Sequence, residues 1–147
     1  MQDFAHNDFV IGFPAHWMDS SVVILSGPPN GGFSPNVTIT RERLEFQLDC
    51  TAYARNQLAM LRQELAPAGY KVIEEGVLQL AGINAYQRIH TFRVADADAQ
   101  VTQLQVYVVK GAEAVTITCS HLAPWFDQMR PVFTEAIHRF KWPAPTP

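Results

Sequence analysis

The sequence predicts an α+β fold, in which a largely antiparallel β-sheet packs against helices as an α/β/α sandwich. Strand and helix patterns follow one another as three strands, a helix, four strands and a final helix. Most of the strands are joined by short turns, which favours antiparallel pairing, and the helices are segregated from them. A chain of 147 residues, 48% of them apolar, can bury one core without disulfides or a metal.

The N-terminal part contains the first three predicted strands. Residues 8–13 and 36–41 have strand patterns, and the second of these has one more polar face. Residues 20–25 are apolar on both faces, which predicts a covered central strand. Trp17, in the preceding turn, is predicted to anchor the fold by closing one end of the sandwich. Residues 27–32 are rich in glycine and proline and predict a loop.

The first helix is predicted over about residues 47–65, a stretch rich in alanine, leucine, glutamine, arginine and methionine. Pro67 and Gly69 would end it. Its apolar stripe recurs at helical spacing and consists of Ala54, Leu58, Leu61 and Leu65.

Four further strands are predicted at residues 70–80, 84–94, 101–109 and 115–119. A polar loop at 95–99 joins the second of them to the third. Because the remaining connections are short and contain glycine, the four strands should form a meander.

The last helix is predicted to begin near Arg130, after a looser turn at 124–125, because Pro131 suits a first helical turn. We expect a single domain over residues 1–142 and a loose, proline-rich tail at 143–147. The helix has an apolar stripe at helical spacing, made of Met129, Val132, Phe133, Ala136, Ile137 and Phe140.

The charge and hydropathy of the chain exclude several classes of partner. It has 11 basic and 14 acidic side chains without a clustered basic face, so we expect no nucleic-acid binding. No run approaches the roughly 18 apolar residues of a membrane span, so we expect no direct membrane insertion. The first residues lack the pattern of a signal peptide, which favours a cytoplasmic protein.

The two cysteines, Cys50 and Cys119, lie far apart in the sequence and outside any CxxC pattern. Two reduced, buried thiols are the expected state in a cytoplasmic protein. A disulfide between them stays open as the alternative if the protein is exported.

No pattern in the sequence indicates catalysis, a cofactor or a metal site, and we expect a protein that is not an enzyme. The five histidines never stand at metal-ligand spacing with each other or with a cysteine. The glycine-rich loop at 27–32 lacks the GK[ST] ending of a phosphate-binding loop. Glu74 and Glu75 are adjacent in a strand, so they should point to opposite faces and cannot act together on one substrate.

The predicted strand at 101–109 has one ordinary core face, formed by Thr102, Leu104, Val106 and Val108. Its other face mixes amides, an aromatic ring and aliphatic groups. Two interpretations of that face stay open: solvent-facing glutamines, or a concave surface that offers donors and acceptors to a partner. The mixed face consists of Val101, Gln103, Gln105, Tyr107 and Val109.

Residues 9–19, Phe-Val-Ile-Gly-Phe-Pro-Ala-His-Trp-Met-Asp, are followed by a short apolar strand and resemble the opening of the DcrB-related family. Tyr53-Ala54 and Gln57-Leu58 on the first helix, the glutamine-bearing strand, and a last helix ending in Phe-x-Trp occur in the same order. The resemblance spans about Phe4 to Trp142 and implies a PsbP-like α/β/α sandwich.

Within this family, the chain is similar to the Eag chaperones of type VI secretion. That resemblance implies a homodimeric adaptor for an effector with N-terminal apolar helices, reaching the secretion spike protein through that effector. The long loop at 27–35 departs from these chaperones and would alter the rim of their client-binding groove. The resemblance implies groove positions at Val22, Ile24, Ile39, Gln57, Leu61, Leu65, Val101, Gln103, Gln105 and Tyr107.

Two alternatives from other classes stay open. The first is an envelope-associated ligand-binding or structural domain of the DcrB type, and the second is an enzyme whose polar pocket the sequence does not reveal. The aliphatic groove positions have their own alternative, since Val22 and Ile24 together with Leu58 and Leu61 would also suit a core.

Overall fold

A computed structural model of the chain describes residues 1–95 and 98–142. Within these ranges the strands and helices follow one another along the chain as β1 (Gln2–Ala5), β2 (Val10–Phe13), β3 (Val23–Ser26), β4 (Asn36–Arg43), α1 (Cys50–Leu65), β5 (Lys71–Leu80), β6 (Ile83–Val94), β7 (Ala99–Lys110), β8 (Glu113–Leu122) and α2 (Ala123–His138). A short 3-10 turn at Ala66–Ala68 follows α1.

The main sheet has six strands in the order β3-β4-β8-β7-β6-β5, and every neighbouring pair is antiparallel. Tyr107 of β7 contacts α1, whereas its neighbours Val106 and Val108 belong to the core cluster of α2. Successive residues of a strand point to opposite faces, so the two helices cover opposite faces of the sheet. The predicted α+β architecture is therefore confirmed.

The larger core lies between the sheet and α2. It joins the predicted core face of β7 to β8 and to three buried α2 residues, Phe126, Phe133 and Ile137. Val132, which the helical pattern also assigned to the buried stripe, is exposed. The stripe is thus narrower than predicted, because the sheet contacts only one side of the helix.

On the other face, α1 begins at an N-cap formed by Asp49, whose side chain accepts a hydrogen bond from the Ala52 backbone N–H at 2.7 Å. Its Tyr53 and Ala54 are buried against Tyr107. After the 3-10 turn, Gly69 adopts a φ of 68°, a left-handed conformation that suits glycine and directs the chain into β5.

Two predictions for the N-terminal part are wrong. The segment predicted as a covered central strand forms β3, an edge strand in which every residue is exposed. Trp17 is 60% exposed and cannot close the sandwich. Apolar residues on both faces of a strand indicate that both faces can be covered, but this pattern does not specify whether the same chain covers them.

The strand predicted at 8–13 also lies elsewhere than expected. Its last four residues form β2, which pairs with β1 in a separate two-stranded sheet instead of joining the main one. The first residues were not predicted to form a strand, because β1 has only four residues and two of them are polar.

The last helix begins at Ala123, earlier than predicted. Pro124 lies in its first turn, where no intrahelical N–H donor is needed, and Pro131 is accommodated within the helix. The predicted tail at 143–147 and part of the predicted loop at 95–99 lie outside the described residues.

Candidate functional site

The helix α1 covers only part of its face of the sheet, because it packs mainly on β6 and β7. The same face continues across β8, β4 and β3. Ile24 of β3 lies opposite Thr38 of β4, which lies opposite Thr118 of β8. Ile24 is exposed and the two threonines are half-buried. We call these three side chains, with Gln105 of β7 at their inner border, the open strip.

A buried arginine lies beneath α1 in the same row of the sheet. Arg88 of β6 is opposite Gln105 and is only 1% exposed. Its Nε contacts Glu75 Oε2 at 3.1 Å, its Nη1 donates to the Tyr107 hydroxyl at 3.1 Å, and its Nη2 donates to the Ala54 carbonyl at 3.1 Å. One guanidinium therefore binds β5, β7 and α1 together.

From Arg88 a chain of hydrogen bonds leads to the open strip. The Tyr107 hydroxyl donates to Gln105 Oε1, and Gln105 Nε2 donates to Thr118 Oγ1 at 3.2 Å. Burial raises the pKa of Tyr107 to about 12, so the phenol keeps its proton at neutral pH. Both the oxygen and the nitrogen of the Gln105 amide are thus hydrogen-bonded to other side chains of the protein.

A second chain of hydrogen bonds contains His90, which is fully buried. Its Nδ1 is 2.9 Å from the Tyr70 hydroxyl and its Nε2 is 2.8 Å from Gln103 Oε1. Gln103 Nε2 in turn donates to Ser120 Oγ at 3.0 Å. Burial, more than any other cause, lowers the pKa of His90 and favours the neutral ring.

The structure brings together some of the predicted groove residues. Ile24 and Gln105 lie in one row of the open strip, and Val22, 52% exposed, immediately precedes β3. Gln103 and Gln105 are half-buried and bonded to protein groups, so they are not simply solvent-facing residues. Gln57, Leu61 and Leu65 are half-buried on α1.

Other predicted groove residues lie elsewhere. Ile39 is opposite Ile117 and packs in the core beneath α2, on the face away from Ile24. Tyr107 and Val101 are on the predicted face, but both are buried and cannot contact a partner directly. Ile39 was misplaced because adjacent strand residues face opposite ways, so an error of one residue changes the face.

Sequence reasoning missed Arg88 altogether. The only signal available was a basic side chain at an alternating position of the predicted strand 84–94, which equally suits a solvent-exposed arginine. Its opposing carboxylate, by contrast, follows the prediction. Glu75 contacts Arg88 on the α1 face, while Glu74 contacts Arg130 of α2 at 2.9 Å on the other face.

A cleft of about 810 Å³ lies between the N-terminal segment and the ends of β4 and β8. Trp17, Met18 and Val22 contribute apolar surface to it. Arg41 lines its other side and is paired with Asp19 at 2.7 Å. The cleft reaches Val22, two residues before Ile24 of the open strip, and it combines apolar surface with the Arg41–Asp19 ion pair.

Among residues 1–95 and 98–142, no three histidine, cysteine or acidic side chains lie together as a metal site would require. Cys50 and Cys119 are both buried and free. None of the helices in the described part of the chain has the length and apolar character needed to cross a bilayer.

A family model described as DcrB matches residues 10–139. No curated protein matches the chain. Several solved structures resemble it across most of their length, and three of them illustrate the similarity. The first is PA94 from Pseudomonas aeruginosa, a protein of unknown function, which is 18% identical, with 99% of both chains covered and a TM-score of 0.80.

The second is PsbP (CyanoP) from Synechocystis sp. PCC 6803, which is 13% identical over 92% of this chain and 88% of the other, with a TM-score of 0.56. The third is LpqN of Mycobacterium tuberculosis, involved in cell envelope biogenesis, which is 13% identical over 85% of each chain, with a TM-score of 0.52. At these identities the likenesses establish a PsbP-like fold.

Proposed function

The chain belongs to the DcrB family, and from this premise we propose that it is a chaperone or adaptor for a type VI secretion effector. It binds the N-terminal transmembrane helices of that effector in the cytoplasm and shields them before export. The adaptor reaches the secretion spike protein through the effector, and it works without a cofactor.

The observation that carries the proposal is the exposed apolar surface of β3 and of the residue before it. Ile24 is 64% exposed and Leu25 is 60% exposed, on opposite faces of an edge strand. Val22 and Val23 are exposed as well. Exposed aliphatic side chains that follow one another at a sheet edge, as from Val22 to Leu25, mark an interaction site in a soluble protein.

The chemistry beside β3 also suits an apolar helix. Thr38 lies opposite Ile24, and Thr118 and Gln105 continue the same row with a hydroxyl and an amide group across β8 and β7. A transmembrane helix offers apolar side chains over most of its surface and leaves backbone carbonyl groups accessible where its residues are small. A surface of mixed aliphatic and hydrogen-bonding groups can contact both.

A homodimer is part of the proposal. The β1–β2 hairpin forms a sheet of its own, and Phe9, Val10 and Ile11 are each more than half exposed. A two-stranded hairpin alone is marginally stable in water, so we propose that a second copy of the protein packs against this one and buries its exposed apolar side chains. Light scattering at micromolar concentration should give about twice the monomer mass of 16.5 kDa, and a monomer would contradict this part of the proposal.

The groove is tested by an aspartate in the open strip and a matched aspartate at the opposite edge of the sheet. Ile24→Asp and Ile73→Asp place the same charge on edge strands, at positions that are 64% and 55% exposed. Each variant is co-expressed with the apolar N-terminal segment of a type VI effector, and both its melting curve and the recovered segment are measured.

Both variants should fold, because water still reaches the new carboxylate in the free protein. Only Ile24→Asp should lose the client, by about tenfold or more in affinity, because the bound helix would leave the charge desolvated and unpaired. Recovery of the client with folded Ile24→Asp would refute the groove. Unfolding of this variant would assign Ile24 to the core and refute it as well.

The alternative function is an envelope-associated ligand-binding domain, favoured by the cleft of about 810 Å³ beside Trp17 and Val22. A structural neighbour, LpqN, is involved in cell envelope biogenesis. Binding of a fatty acid or detergent monomer in this cleft, without binding of an apolar helix, would favour this function over the chaperone.

A further inference from the structure

The hydrogen-bond chain from Arg88 to the open strip runs in one direction, because Arg88 can only donate and the Tyr107 proton has one acceptor among the described residues. A guanidinium has donors and no acceptor, so the Tyr107 oxygen must accept from Arg88. The Tyr107 oxygen could accept a second bond, but in the described part of the chain its proton has no acceptor other than Gln105 Oε1. The arrangement that satisfies the buried phenol therefore turns the Gln105 oxygen toward Tyr107. The amide nitrogen of Gln105 therefore faces Thr118.

The direction of these hydrogen bonds determines whether the Thr118 hydroxyl is available as a donor or as an acceptor. Its Oγ1 accepts from Gln105, so its own proton remains for another acceptor. Among the side-chain hydrogen bonds of the described residues, Thr118 takes part only as the acceptor from Gln105. Gln105 likewise keeps a second amide N–H. The inner border of the open strip thus presents donors.

The chain through His90 lacks this constraint. It begins at the Tyr70 hydroxyl and ends at the Ser120 hydroxyl, and each of these groups can donate or accept. Reversing the Gln103 amide and the imidazole tautomer together gives an equally complete set of bonds. The fixed direction therefore belongs to the Arg88 chain and comes from its buried cation.

We propose that Arg88 and Tyr107 are positioning residues that make the open strip a hydrogen-bond donor, so that it selects an acceptor on the bound helix. The inference rests on the proposed function and names the group that the groove recognises. This group is a backbone carbonyl oxygen that a small residue leaves accessible, since a helical carbonyl retains a second lone pair.

The test uses two synthetic, fluorescein-labelled peptides with lysine flanks and about 20 apolar residues. One peptide has a stripe of glycines that uncovers its carbonyl groups, and in the other those glycines are leucines. Fluorescence anisotropy gives the two dissociation constants for the wild type, Thr118→Val, Thr118→Ser, Tyr107→Phe and the Thr118→Val/Tyr107→Phe double variant. Thr134→Val, on the exposed surface of α2, is the matched control.

The wild type should prefer the glycine peptide. Thr118→Val and Tyr107→Phe should each reduce that preference by about two- to tenfold, the affinity equivalent of one net hydrogen bond. The double variant should lose no more than either single variant, because both changes interrupt one chain. Thr118→Ser should restore the preference, and Thr134→Val should keep it.

Three results would overturn the proposal. The first is a wild-type preference in Tyr107→Phe, and the second is additive loss in the double variant. The third is equal wild-type binding of both peptides together with loss of binding in Ile24→Asp, which would leave the groove intact and refute only the donor inference. Binding of neither peptide by the wild type would refute the proposed function too. Melting curves show whether Tyr107→Phe is folded. If it is not, Thr118→Val, at a half-buried position, interrupts the same series of hydrogen bonds at its other end.

Discussion

Replacing the buried arginine with an apolar side chain of similar length should strongly destabilise the fold. In Arg88→Met, three hydrogen bonds are lost, to Glu75, Tyr107 and Ala54. Each bond to a charged group is worth about 1.5–3 kcal/mol, which sets an upper range of about 4.5–9 kcal/mol. Two effects offset part of this: the methionine buries apolar surface, and the partly exposed Glu75 is rehydrated.

The remaining loss is about 3–5 kcal/mol, the usual cost of removing one partner from a buried ion pair. The control is Arg130→Met, which breaks the pair with Glu74, the neighbouring carboxylate on the other face of β5. Both members of that pair are exposed, at 40% and 47%, so its loss should cost about 0–1 kcal/mol.

Urea denaturation followed by circular dichroism gives both free energies of unfolding. Equal losses of unfolding free energy in Arg88→Met and Arg130→Met would refute the reasoning, because the buried Arg88 contacts would then stabilise the fold no more than the exposed pair. If Arg88→Met does not fold at all, Glu75→Gln probes the same pair from its exposed side, and it should cost more than Glu74→Gln.

Three further predictions concern single side chains. Trp17→Ala should lower the free energy of unfolding by less than about 1 kcal/mol, because the indole is 60% exposed; a loss of about 3 kcal/mol in urea denaturation would mean that it is buried. Because burial lowers the pKa of His90, the unfolded chain binds its proton more readily, so the free energy of unfolding should be highest above about pH 6.5 and fall below it. The fall should be shallower in His90→Asn, and an identical pH dependence would contradict this assignment. Cys50 and Cys119 are both buried and free, and burial raises the pKa of the Cys119 thiol to about 12, so without reductant both should react with a thiol reagent only after denaturation; finding no titratable thiol would indicate a disulfide.

The sequence alone determined the architecture, because local periodicity records which face of each element is buried. The alternation at 101–109 predicted the α2 core face of β7, and the alternation at Glu74 and Glu75 predicted that these carboxylates point to opposite faces. The composition of residues 47–65, with Pro67 and Gly69 after it, predicted α1 to within a few residues. In each case the relevant information lies within a short stretch of chain.

The tertiary structure decided which surfaces stay uncovered and what the polar groups do. The apolar pattern of β3 is the same for a central and an edge strand, and only the strand order places it at the edge. Arg88 is buried because Glu75, Tyr107 and Ala54, from three different elements, meet around it. Burial of a charge depends on partners that are distant in the sequence, and a local pattern of apolar and polar residues does not encode them.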